Sequence, residues 1–322
     1  MKKKRLLGCS FPVVIVILVV FIGMLLVSVA AGPVGKSLLS LFGINLTFPS
    51  WMVTQKPEIT LPAETIFHIF GFPISNAVMT GWITIVVLVL FFWAATRKIK
   101  IVPKGLQNFA EWVLEYIYNL CKTVAGEENG RRFFPLIATI FLFVIANAWL
   151  NLIPGYGMII AHTAEGDFPF LRGANTDVNL PLAMAIVSFV FVTYHGLRVN
   201  KLHYVSEFLN VGPMLKGLGK IFTGKFKAGI GGFFSGFISF FIGIIELLGQ
   251  FIRIISFTFR LFGNMTAGEI LILIIMFLVP WVVAPIFYGL ELLVGYIQAL
   301  IFAGLTLVFV SVATIPHETE HQ

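Results

Sequence analysis

Charge is scarce in this chain. Of its 322 residues only 11% are Asp, Glu, Lys or Arg, and 58% are hydrophobic. Soluble domains carry roughly 25% charged residues, so the shortage excludes a soluble globular protein. Cysteine is nearly absent. Cys9 and Cys121 are the only two, which excludes a disulfide framework. Neither stands beside other metal-ligating residues, so both read as small hydrophobes and no metal is expected. The sequence also lacks a dinucleotide fingerprint, a phosphate-binding loop, a CxxC pair and an HExxH pair. No cofactor is expected, and no soluble catalytic domain fits between the apolar runs. The formal net charge of +7 is not a nucleic-acid footprint, because the basic residues flank apolar runs. That distribution orients a membrane protein.

Long apolar runs are what the chain has in abundance. The first, Phe11 to Ala31, follows a basic start, MKKKR. Ser28-Val29-Ala30 fits a signal-peptide cleavage pattern, while about 20 apolar residues also suffice for a permanent anchor. Residues 1–31 are therefore either a signal peptide or an extra N-terminal anchor, and 32–73 form an external segment on both readings. A second span, Ile74 to Ala95, ends in Arg97, Lys98, Lys100 and Lys104, which places that end in the cytoplasm. Residues 105–127 carry Phe109, Val113, Ile117, Leu120 and Val124 at helical spacing, with Glu111, Glu115 and Lys122 on a polar side. They predict an amphipathic helix lying at the cytoplasmic interface. Arg131 and Arg132 precede a third span, Phe133 to Ile153, stopped by Pro154 and Gly155. The loop 155–180 contains Glu165, Asp167, Arg172 and Asp177 and lies outside. Pro181 to Val199 returns to a cytoplasmic side marked by Arg198, Lys201, Lys216, Lys220, Lys225 and Lys227.

Two apolar stretches near the end are too long for simple spans. The first, Phe233 to Val279, would measure roughly 70 Å as a straight helix, more than twice the ~30 Å hydrocarbon layer. It must tilt, kink or split into a hairpin, and Gly243, Gly249, Gly263 and Gly268 permit bends. The second runs from Val282 to Thr314. The distribution of basic residues favours one crossing outward to Pro280 and one back to His317, with 316–322 as a cytoplasmic tail.

The first long stretch holds Glu246, Arg253, Arg260, Asn264 and Glu269. Ionisable groups at that depth cost several kcal/mol and usually mark an ion path or a binding site. Glu246, Arg253 and Arg260 are seven residues apart, within about 40° on one helical face, and Asn264 lies one turn further on nearly the same face. Glu269, nine residues past Arg260, points to the opposite side. A purely structural pairing of these charges is the competing reading, and snorkelling is an alternative for Arg253. Arg260 lies furthest from either mouth. A guanidinium keeps its proton at any physiological pH, so it holds a positive charge in a proton path without carrying protons. Its own helix offers no carboxylate within a turn, so a partner is expected from another helix or another protein. On the last helix Glu291 and Gln298 are seven apart and share a face. In a hairpin turning at Pro280-Trp281, residue counting puts Gln298 at the depth of Arg260, within reach of a hydrogen bond.

RLFGNMTAGEI (260–270) resembles the signature of subunit a of F-type ATP synthases. ETIFHIFGFPISN (64–76), VPKGLQNFAEWVLEYI (102–117), FFPLIATIFLFV (133–144), NLIPG (151–155), TDVNLPLAMA (176–185) and YIQALIFAGLTLVFVS (296–311) resemble the same family in the same order. The resemblance covers about residues 60–315. It implies an all-α integral membrane protein with five family transmembrane helices besides the N-terminal apolar segment. It also implies one interfacial amphipathic helix, and two long tilted C-terminal helices packing on a c-ring. The family membrane domain would be 74–315. By position, Arg260 matches the arginine that faces the c-subunit carboxylate. Glu246, Asn264, Glu269, Glu291 and Gln298 match proton half-channel positions, and Asp177 and Asn179 fall near the outer entrance. The implied partners are the c-subunit ring, b-type peripheral stalk subunits, the F1 sector indirectly, and membrane lipid, with no nucleic acid. The implied location is the bacterial plasma membrane, with a cytoplasmic C-terminus. The resemblance implies no enzyme activity in the chain alone. Two features depart from the family pattern: the N-terminal 35 or so residues, and a basic Gly-rich insert at 216–236. An autonomous transporter, which usually shows an internal repeat, and a membrane scaffold are the rival readings. No repeat is present.

Overall fold

Inside a bilayer the backbone finds no water, so a spanning segment must satisfy its own hydrogen bonds as a helix or in a closed barrel. This chain does so with helices. The computed structural model describes residues 5, 6, 9–44, 48, 49, 53, 56, 63–153, 155, 156, 159–163, 166–208, 226–280 and 282–315. Among them six helices are long and apolar enough to cross a membrane. The helices are α1 (Phe11–Ala31), α2 (Pro33–Leu41), α3 (Asn76–Thr96), α4 (Leu106–Asn151), α5 (Asn179–Phe208), α6 (Phe226–Leu278) and α7 (Ala284–Ala313). Residues 209–225, which include 216–225 of the basic insert, the tail 316–322 and Trp281 lie outside the described residues.

Three small antiparallel hairpins decorate this bundle: β1 (Arg5–Leu6) with β2 (Cys9–Ser10), β3 (Thr65–Ile69) with β4 (Phe72–Ser75), and β5 (Ile160–Thr163) with β6 (Gly166–Pro169). The sequence reading did not anticipate them. The β3–β4 turn places Phe70 and Gly71 both at positive φ, 49° and 83°, the backbone of a tight hairpin turn. Ser75 then ends β4 and caps α3, accepting from the Val78 amide at 3.4 Å.

The amphipathic segment and the third span form one helix in name, α4. Gly126 interrupts it with φ 79° and ψ 176°, a region essentially reserved for glycine. The chain doubles back tightly there. A Cβ on Gly130 would lie 2.9 Å from the Cys121 carbonyl oxygen, and Lys122 bridges the break to Glu127 at 2.7 Å. Cys121 is free and fully buried at this elbow.

α6 settles the question raised by its length. It is a single helix of 53 residues, about 80 Å long at 1.5 Å per residue. None of its glycines splits it, so the hairpin option is excluded. It starts at Phe226, seven residues before the predicted boundary. Similarly, α5 continues to Phe208, beyond the predicted end at Val199.

Helices in lipid gain little from hydrophobic contact with each other. Close packing by small residues and interhelical hydrogen bonds hold them. Both occur here. A Cβ on Gly295 of α7 would come within 2.8 Å of the Ala148 Cβ of α4. Trp149 donates to the Leu292 carbonyl at 3.1 Å, Ser188 pairs with Thr306 at 2.8 Å, and Tyr116 with Tyr296 at 3.0 Å. The core between α4, α5, α6 and α7 is built on Phe133, Ile137, Val144, Leu261, Phe302 and Leu307, all buried. α1 stands apart and is mostly exposed. It meets the bundle at its elbow with α2, where Gly32 approaches the Leu278 carbonyl so closely that no Cβ fits.

Gly126→Ala is expected to destabilise the chain by about 1–3 kcal/mol, because a side chain is forced into that backbone region. Gly304→Ala, in regular helix with nothing within 4 Å of the added methyl, is expected to be neutral. Thermal unfolding of the two variants in the same detergent checks the contrast; equal midpoints would refute it.

Candidate functional site

Arg260 is half-buried on α6. Its Nη2 donates to Ser256 Oγ at 3.5 Å, and the guanidinium lies 5.9 Å from the centre of the Phe257 ring. Among the described residues no carboxylate comes within ion-pair distance of it. The face of α6 at this level is open: Ser256, Phe259, Asn264, Ala267, Leu271 and Ile274 are exposed. Gly263 has open space where a side chain would stand. A half-buried cation therefore lies on an uncovered stripe whose small residues admit close approach.

Asn264, one turn beyond Arg260, donates to Gln298 Oε1 of α7 at 2.7 Å. This corrects the expectation that Gln298 bonds Arg260. The midpoint of the observed pair is 281, in keeping with the expected turn. What fails is treating 20 residues back to Arg260 and 18 forward to Gln298 as equal depths, so the residue opposite Gln298 is one turn on, Asn264. Gln298 is 1% exposed, and its Nε2 has no partner among the described residues.

Glu269 points away from that stripe, as the nine-residue spacing predicts. It faces a cavity of about 360 Å³ between α3, α4, α6, α7 and the segment after β6. Glu64, Asn76, Tyr156, Arg172, Tyr288 and Glu291 also line it. Glu291 is buried against Gly268, where no side chain fits without striking its carboxylate. Glu64 Oε2, Asn76 Oδ1 and Glu269 Oε2 are buried without a hydrogen-bond partner among the described residues. Acceptors of this kind need water or a proton. The cavity far exceeds the ~10–15 Å³ that a single water requires.

Its walls are fixed by a buried polar network. Asn147 Nδ2 donates to Thr84 Oγ1 at 3.2 Å, and Asn147 Oδ1 accepts from the Asn175 amide at 3.4 Å. Tyr156 donates to Thr80 at 3.1 Å, and Asn76 Nδ2 to the Pro169 carbonyl at 3.3 Å. Arg172 enters from the segment after β6, with its Nε 3.6 Å from Glu269 Oε2.

The remaining candidates lie elsewhere. Asp177 and Asn179 bond each other at the start of α5, with the Asn179 amide 3.2 Å from Asp177 Oδ1. Neither lines the cavity. Arg253 stacks over Phe309 of α7 at 3.6 Å. Glu246 is exposed, about 21 Å along α6 from Arg260 by helical rise. Sequence reasoning recorded Arg172 only as a loop charge and passed over Glu64 and Asn76. The available signal for Arg172 was its setting, a lone base after Phe170 and Leu171 and directly before the TDVN motif.

The comparisons with known proteins agree with this architecture. Residues 77–311 match the family model described as ATP synthase A chain. ATP synthase subunit a of Gloeobacter violaceus is 32% identical over 247 residues, covering 77% of this chain and 87% of its own length. The matched segment holds the open Arg260 stripe, the Asn264–Gln298 pair and all of the Glu269 cavity's lining except Glu64 and Asn76, and this chain belongs to the ATP synthase A chain family, subunit a of F-type ATP synthases, a proton-translocating membrane subunit that is not an enzyme by itself.

Proposed function

We propose that the chain is the stationary half of a rotary proton path: two aqueous half-channels that open on a c-subunit ring and are separated by Arg260. The observation that carries this reading is the arginine itself. A cation on an exposed intramembrane stripe, with no acidic partner among the described residues, calls for a counter-charge from a neighbouring protein. A ring of helices, each with a carboxylate at that depth, supplies one that can move past.

The two acidic ends of α6 then serve opposite sides. Glu269 and Glu291, at the cavity, belong to the outer half-channel, and Glu246 belongs to the cytoplasmic one. Asp177 and Asn179 stand near the outer entrance, where their bond to each other also starts α5. A proton enters by the cavity, passes the Asn264–Gln298 pair and neutralises a ring carboxylate, which then tolerates lipid. After rotation the carboxylate meets Arg260 from the other side. The positive charge there favours the ionised form, and the proton leaves toward Glu246 and the cytoplasm. The fixed cation also repels protons, which prevents a direct leak. The driving force is about 2.3 kcal/mol per charge per 100 mV. The partners on this reading are the c-ring, b-type stalk subunits and, through them, the F1 sector, in a bacterial plasma membrane with the C-terminus cytoplasmic.

In vesicles from a host lacking its own subunit a, Arg260→Ala is expected to reduce ATP-driven proton pumping to background while the complex still assembles. Arg260→Lys is expected to fail as well, since a desolvated amine can surrender its proton. Pumping retained by Arg260→Ala in an assembled complex would refute the proposal. Gln298→Leu removes the acceptor of Asn264 and is expected to slow pumping several-fold without loss of assembly; the initial rate of vesicle acidification measures it, and a wild-type rate would take this pair out of the path.

A further inference from the structure

Arg172 sits on a loop, yet its side chain is only 10% exposed. The loop is built to hold it there. The next residue, Gly173, presses on the end of α4, where an added Cβ would come 2.8 Å from Asn151 Nδ2. Thr176 Oγ1 donates back to the Gly173 carbonyl at 2.7 Å, and the Asn175 amide bonds Asn147 at 3.4 Å. The turn Ala174–Thr176 that follows is fully buried. An exposed loop needs none of these locks. Together they aim one guanidinium into the cavity from the outer side.

There it meets Glu269. The separation of 3.6 Å is close enough for an ion pair and too long for a hydrogen bond. Glu269 Oε2 has no hydrogen-bond partner among the described residues. The carboxylate is thus held by charge, with Oε2 free of hydrogen bonds to the described residues. The other titratable groups around the cavity are Glu64 before β3, Tyr156 after α4, and Tyr288 and Glu291 on α7.

We infer that Arg172 is a positioning residue of the outer half-channel: a second permanent cation, which holds the Glu269 carboxylate against the cavity wall so that it can pass protons from outer water toward the ring face. This rests on the half-channel reading above. Arg172 donates no proton, because guanidinium keeps its own, and it does not face the ring. Its loss is therefore expected to slow proton entry without uncoupling the motor, whereas loss of Arg260 abolishes pumping altogether.

The test uses the whole ATP synthase in proteoliposomes, with membrane potential and cytoplasmic-side pH fixed, and records ATP synthesis against outer pH. Arg172→Gln is expected to lower the maximal rate several-fold and to shift the outer pH of half-maximal synthesis. Arg172→Lys, which keeps a cation, is expected to restore most of both. The double variant Arg172→Gln/Glu269→Gln is expected to be no slower than Glu269→Gln alone, since residues acting through each other are not additive. An unshifted outer-pH midpoint for Arg172→Gln overturns the inference, whether the rate is normal or falls only in step with assembled complex. Additive losses in the double variant overturn it too. Arg260→Ala, run alongside for ATP-driven pumping, separates the failures: if it pumps, the half-channel reading falls; if it is silent while Arg172→Gln keeps the wild-type midpoint, only the role of Arg172 falls.

Discussion

A permanent positive charge in hydrocarbon has to be answered by an opposite charge, by water or by both, and this chain depends on how Arg260 meets that demand. The cost of burying it unanswered is several kcal/mol on the lower measured scales, comparable with the net stability of a whole domain. Within the described residues the guanidinium has one hydroxyl and one aromatic ring beneath it. Those contacts do not neutralise a charge. The rest of the site follows: a face of small and exposed residues beside the arginine, so that a counter-charge can come close, and acidic groups kept about a helix diameter or more away, so that none of them cancels it permanently.

Separation of that kind needs a rigid body, and lipid offers little hydrophobic drive to make one. The chain uses contact and hydrogen bonding instead. Gly295 against Ala148 and Gly268 against Glu291 bring helices close, while Trp149, Ser188 and Asn147 bond across helix pairs. The polar network around Asn147 joins α3 and α4, which line the cavity, to the buried turn Ala174–Thr176 that follows Arg172. The same groups that hold the fold therefore fix the shape of the polar space within it.

Much of this was legible in the sequence, for identifiable reasons. Hydrophobic run length and flanking Lys and Arg gave every spanning helix, and the seven-residue spacing put Glu246, Arg253 and Arg260 on one face because helical period is insensitive to tertiary context. The nine-residue spacing turned Glu269 away correctly. The amphipathic segment 105–127 and the separate span from Phe133 were readable from the change of pattern between them, whereas the break at Gly126 itself was not singled out. Pairing between helices was not readable to better than a turn. A difference of two residues between the counts on either side of the α6–α7 turn is enough to exchange Arg260 for Asn264 opposite Gln298. The cavity was not readable at all, since Glu64, Asn76 and Arg172 come from segments whose approach is fixed by packing and has no periodic signal. The hairpins were missed for the same reason.

The positions of Glu291 and Gln298 on α7 explain how a cavity on one side of α6 serves a charge on the other. Glu269 and Arg260 point in opposite directions, so a proton at the cavity has α6 itself in its way. α7 runs antiparallel beside it and carries Glu291 at the cavity wall and Gln298 seven residues on, about 10 Å along the helix. Gln298 then reaches across to Asn264, which is exposed on the same stripe as Arg260. On the proposed reading this ladder is the route around α6. It explains why the gap at Gly268 is filled by the Glu291 carboxylate, since a larger side chain at 268 would close the ladder at its first rung. The amide pair carries no proton itself; it marks where the polar path from the cavity comes out on the stripe, one turn from Arg260, so that water or the ring carboxylate takes the proton there.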